Sequence, residues 1–98
     1  MNLKQSVSLS PDALFQEVSG ETVILDMASE TYFGLDAVGT RVWQLMQEKR
    51  QLQPVFDALL QEYEVESETL EQDLASLLTS LEEAGLISLA TVHPDSTS

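Results

Sequence analysis

An α+β domain, with three short antiparallel strands followed by three helices, is predicted from three observations. Between residues 13 and 35, β-branched and aromatic runs are punctuated by turn residues. From Asp36 onward the apolar spacing changes to the 3.6-residue period of helices. With 98 residues, 43% of them hydrophobic, the chain holds one modest core and not two.

Each element has its own justification. Residues 1–10 are polar with spaced apolar positions, and Pro11-Asp12 marks a turn or strand start. Residues 13–18 read as a first strand, and Ser19-Gly20 supplies the small, conformationally permissive pair of a hairpin reversal. Thr22-Val23-Ile24-Leu25 suits a strand buried on both faces, and Thr31 to Leu35 gives the third strand of a meander. Asp36 is the expected N-cap of a first helix carrying Val38, Val42, Leu45 and Met46 on its apolar face, with Trp43 in the core. A second helix is expected from Leu52, since Pro54 in its first turn removes only an amide without a helical partner. Ser67 is the expected cap of a third helix, lined by Leu70, Leu74, Leu77, Leu78 and Leu81 and stopped by Gly85. Residues 86–89 would add a short strand. The domain is expected to fill residues 1–90, with 91–98 a flexible tail.

Charge and composition exclude several functions. Four basic residues against 17 acidic ones give −13, and residues 51–98 hold ten acids and no base. In outline the strands and helices resemble a winged helix-turn-helix, but its third helix would bring Glu68, Glu71, Asp73, Glu82 and Glu83 to DNA phosphates. Nucleic acid and anionic membrane are therefore not expected partners. No cysteine is present, which removes disulfides, zinc-thiolate sites and thiol catalysis. No apolar run reaches the roughly 18 residues of a membrane span and the N-terminus lacks a signal-peptide core, so a cytoplasmic protein is expected. His93, the single histidine, stands beside Pro94 in the expected tail, without the partners a general base requires. The acids between Glu64 and Glu71 lack the glycine-centred loop of a calcium site and read as a solvated surface. No enzyme activity, metal or cofactor is expected.

Surfaces and edges remain. The outer strands of a meander each leave one row of backbone groups unpaired. Pro11, Gln16 and Glu17 guard the first strand, whereas Thr31 to Leu35 carries neither charge nor proline. Either its side chains fill the core under a covering helix or loop, or the edge accepts another chain. A five-residue guest strand spans about 17 Å. Its backbone hydrogen bonds would net roughly 0.5–1.5 kcal/mol each. Ordering a disordered peptide costs about 2–5 kcal/mol, so micromolar binding needs side chains held in a neighbouring groove. Tyr32 and Phe33 must point to opposite faces, in an order the sequence leaves open. A proline at Phe33 is expected to remove an edge amide.

Several segments resemble, in order, the PqqD family of leader-peptide-recognition domains from pathways that modify ribosomally made peptides. They are Val23-Ile24-Leu25-Asp26, Tyr32-Phe33-Gly34-Leu35-Asp36, and Val38-Gly39-Thr40-Arg41-Val42-Trp43. Leu59-Leu60-Gln61-Glu62-Tyr63, Asp73-Leu74-Ala75-Ser76-Leu77-Leu78 and Leu81-Glu82-Glu83-Ala84-Gly85 complete the set. The resemblance implies a non-catalytic domain that binds a precursor's leader peptide as an added strand on Thr31, Tyr32, Phe33, Gly34 and Leu35. Leader side chains would enter between that strand and the third helix, around Asp73, Leu74, Leu77 and Leu78. It also implies a partner enzyme, either a leader peptidase, a cyclase or a radical-SAM enzyme. The Tyr32–Trp43 run is similar to stand-alone members of lasso-peptide clusters; pyrroloquinoline quinone assembly is the rival within the family. A module that self-associates through the same edge is the rival outside it, and the oligomeric state is not set by the sequence. Gln51 and Pro54 depart from the Ser or Thr caps usual there. The acidic balance of residues 51–98 would suit a leader carrying basic residues.

Overall fold

A computed structural model describes residues 2–91. His93 and positions 92–98 of the expected tail lie outside the described residues. The elements are β1 (Gln5–Leu9), β2 (Ala13–Val18), β3 (Glu21–Asp26), β4 (Thr31–Leu35), α1 (Ala37–Lys49), α2 (Leu52–Glu62), α3 (Ser67–Glu83) and β5 (Ile87–Thr91). The expected meander forms an antiparallel sheet in the order β2-β3-β4.

Each turn of the meander has a local cause. Ser19 and Gly20 both take positive φ, at 55° and 83°, as a two-residue hairpin with the right-handed twist of its strands requires. Between β3 and β4 the Asp26 carboxylate accepts hydrogen bonds from the Ala28 amide (3.2 Å) and the Ser29 hydroxyl (2.8 Å), closing the turn from inside.

A second sheet pairs β1 with β5, Val7 opposite Leu89 and Leu9 opposite Ile87. The short strand expected at 86–89 thus runs from Ile87 to Thr91 and has a partner in a segment read only as polar with spaced apolar positions. Alternation in Gln5-Ser6-Val7-Ser8-Leu9 explains that partner, because Val7 is buried between exposed or half-buried serines. The Val7 amide also donates to the Arg50 carbonyl (2.8 Å), tying β1 to the α1–α2 junction.

The helices follow their signals closely. Asp36 caps α1, its Oδ1 accepting from the Gly39 amide at 2.8 Å. The α3 cap is Glu66 and not Ser67. Residue 66 has the extended backbone of a cap and makes no side-chain capping bond, while Ser67 is already helical. After α3, Gly85 adopts φ 77°, its amide donates to Glu82, and the Leu86 amide reaches back to Leu81 (both 3.0 Å). That pattern is the Schellman stop, and it buries Leu86.

The core joins Ile24 and Leu35 of the meander to Val42, Trp43, Leu45 and Met46 of α1, Leu59 of α2, and Leu74, Leu78 and Leu81 of α3. Trp43 lies edge-on to Phe15, with ring centroids 5.9 Å apart. A buried hydrogen bond of 2.8 Å joins the Thr22 and Thr40 hydroxyls, pinning β3 to α1. Arg41 of α1 forks onto Glu62 of α2 through Nε and Nη2, at 2.7 and 2.8 Å. This pairing raises the Arg41 pKa and holds the Glu62 carboxyl below its ordinary range. Among the described residues no helix is long and apolar enough to cross a membrane.

Candidate peptide-binding groove

The register of the meander decides what β4 offers. Thr22, Ile24 and Asp26 of β3 are buried, and opposite them stand Leu35, Phe33 and Thr31. Those β4 residues therefore share the face turned toward the helices. Tyr32 and Gly34 share the outer face with Val23 and Leu25, and Tyr32 is 74% exposed. The order left open by the sequence is thus resolved, with Phe33 inward and Tyr32 outward.

Backbone direction follows from the same ladder. The two-residue turn closes on Val18 and Glu21 as a hydrogen-bonded pair, and in antiparallel strands bonded and non-bonded pairs alternate. Alternate β3 residues therefore bond to opposite neighbours: Glu21, Val23 and Leu25 toward β2, Thr22, Ile24 and Asp26 toward β4. Leu35, Phe33 and Thr31 spend their backbone groups on β3. The Tyr32 and Gly34 amides and carbonyls face the other way, and β4 has no second strand partner among the described residues. A proline at Phe33 would therefore break the pairing with Ile24 and leave the open edge intact. Tyr32 and Gly34 are the edge positions.

Beside this edge lies a groove of about 590 Å³ between β4, the start of α1 and α3. Phe33, Gly34 and Leu35 form one wall, Asp73, Leu77 and Ser80 the other, and Asp36, Val38 and Gly39 close it at the start of α1. Of the nine expected site residues, five line the groove: Phe33, Gly34, Leu35, Asp73 and Leu77. Thr31 is exposed at the start of the strand, its hydroxyl 2.7 Å from that of Ser29. Leu74 and Leu78 are each 2% exposed and belong to the core. Their place one residue from Asp73 and Leu77 rotates them about 100° around the helix, off the groove wall.

Asp36, Val38, Gly39 and Ser80 were not anticipated as site residues. Val38 does continue the apolar stripe of α1, but at the first turn that stripe runs past the edge of the core, leaving Val38 47% exposed. Gly39 lets α1 start close against β4, since a Cβ there would lie 3.2 Å from both Cβ and Cδ2 of Leu35. Ser80 lies one helical turn beyond Leu77, a spacing that would have signalled it.

The groove combines the apolar side chains of Phe33, Leu35, Val38 and Leu77 with two carboxylates, Asp36 and Asp73, and no basic residue lines it. Arg41, the basic residue of α1 closest to its start, is committed to Glu62. On the outer face of the sheet, Leu14, Val18, Val23 and Tyr32 are also exposed. Among the described residues no group of three or more His, Cys, Asp or Glu side chains could hold a metal ion. The arrangement suits the lateral addition of an extended chain, with alternate side chains lowered into the groove.

A family model described as coenzyme PQQ synthesis protein D (PqqD) matches residues 21–87. Among solved structures, TbiB1 in complex with the TbiA(β) leader peptide is 36% identical, with a TM-score of 0.77 over 82% of this chain and 93% of that one. A lasso peptide synthetase B1 complexed with the leader peptide is 30% identical, with a TM-score of 0.75 over 85% of this chain and 98% of that one. No curated protein matches. The match over residues 21–87 spans the meander from β3 onward, all three helices and both walls of the groove, and the chain belongs to the PqqD family.

Proposed function

We propose that this protein binds the leader region of a ribosomally made precursor peptide by strand addition to β4, and presents it to a maturation enzyme in the cytoplasm. The observation that carries this reading is the edge at Tyr32 and Gly34, without a strand partner among the described residues, beside a groove lined by Phe33, Leu35, Val38 and Leu77. Two solved relatives at 36% and 30% identity are complexes with leader peptides, which supports the same role here. The role is recognition without catalysis, and the partner favoured by the lasso peptide synthetase B1 relative is the leader peptidase of a lasso-peptide pathway. A second reading, delivery of a pyrroloquinoline quinone precursor to a radical-SAM enzyme, draws on the description of the family.

Calorimetric titration with the TbiA(β) leader peptide tests the proposal. Saturable binding by the native protein is expected, weakened at least about tenfold by Leu77→Lys, which places a charge on the half-buried groove wall. Leu78→Lys reports on folding alone, because Leu78 is in the core. Full affinity in a folded Leu77→Lys variant would place the site elsewhere.

A further inference from the structure

We infer that the leader segment seated beside β4 carries a basic side chain two residues from an apolar one, the basic group against Asp73 and the apolar group against Leu77. This rests on the leader-binding reading above and adds the chemistry the leader must have.

Spacing supplies the pattern. Asp73 and Leu77 line one wall of the groove four residues apart, a rise of about 6 Å along α3. Same-face side chains of an extended guest recur every second residue, about 6.6–6.8 Å apart. For a guest that runs along α3, one residue beside Leu77 brings its same-face neighbour beside Asp73.

Charge supplies the identity. The Asp73 carboxylate makes no hydrogen bond or ion pair among the described residues. The Asp36 carboxylate, the second of the groove, uses Oδ1 to accept from the Gly39 amide and has no other side-chain partner among the described residues. No base lines the groove, and the whole chain carries −13. A strand laid over Asp73 removes water from its carboxylate. A neutral guest side chain leaves that loss uncompensated, and an acidic one adds repulsion. A lysine or arginine restores a partner.

The test uses single substitutions to Lys, Gln and Glu along the TbiA(β) leader peptide, with affinities measured by fluorescence anisotropy on the native protein and on Asp73→Asn. One position should prefer Lys over Gln by about three- to fivefold at low salt, with Glu weaker still. It should lie two residues from a position where replacing an apolar residue by Gln is costly. The preference should vanish in Asp73→Asn and shrink at high salt. Binding that is indifferent to charge at every position, or a preference that survives in Asp73→Asn, overturns the inference and leaves leader binding standing. No binding of any peptide overturns both.

Discussion

Phe33 faces Ile24 across the β3–β4 ladder, yet Ile24 is wholly enclosed whereas Phe33 is only half-buried and continues into the groove. Its neighbour Tyr32 is exposed on the opposite face. The two aromatics therefore make different predictions. Phe33→Ala should weaken leader binding about tenfold, since filling an apolar side-chain site contributes roughly 1.5–3 kcal/mol. Tyr32→Ala should change it less than about fivefold, because its ring stands on the outer face, away from the groove, where a cross-strand pair contributes only roughly 0.2–1 kcal/mol. Equal losses by calorimetry would mean that the guest is gripped from both faces.

Backbone pairing is separable from side-chain grip at Gly34. A Cβ added there meets nothing within 4 Å, so Gly34→Ala should fold and bind as the native protein does. Gly34→Pro removes an amide at the free edge, where proline is tolerated by the host sheet. It should keep the thermal midpoint within a few degrees and weaken the leader by about tenfold, as a lost hydrogen bond leaves a guest carbonyl unpaired. Native affinity in Gly34→Pro would exclude pairing at that residue.

The Thr22–Thr40 hydroxyl pair gives a stability cycle independent of binding. Thr22→Val leaves the Thr40 hydroxyl buried without its 2.8 Å partner and should cost about 1–3 kcal/mol in urea unfolding. Thr22→Val combined with Thr40→Val removes both polar groups and should cost less than Thr22→Val alone. Additive losses in the double variant would show that the hydroxyls act separately.

Acid should loosen the α1–α2 contact. The Glu62 carboxyl is held below its ordinary range by its hydrogen bonds with Arg41, so the pair stabilises the fold above the unfolded carboxylate pKa. That contribution is lost as the pH falls through the lower, folded value. Glu62→Gln should therefore lower the thermal midpoint slightly at neutral pH and make no difference in strong acid. A gap between variant and native that persists at low pH would show packing and not charge at this contact.

Local signals made most of the fold legible from sequence. Asp36, Gly85 and the Ser19-Gly20 turn each act through their own backbone geometry, and each stands where its residue type predicts. The β1–β5 pairing was not legible, because its register joins residues 5–9 to 87–91 across the whole chain and neither segment alone displays a partner. The same limit applies to the site. Thr31 to Leu35 could be identified as an unguarded edge, but the inward turn of Phe33 waited on the register with β3. Leu74 and Leu78 share the leucine stripe of α3 with Leu77; only the packing of α3 on the core separates the buried pair from the groove wall.

Hydrogen exchange at the β4 amides, followed by NMR before and after addition of the TbiA(β) leader peptide, tests strand addition most directly. The Tyr32 and Gly34 amides, open to solvent in the free protein, should become protected together on saturation, while the Phe33 amide, already bonded to β3, should change little. Bound peptide with Tyr32 and Gly34 still exchanging at their free rates would contradict the account.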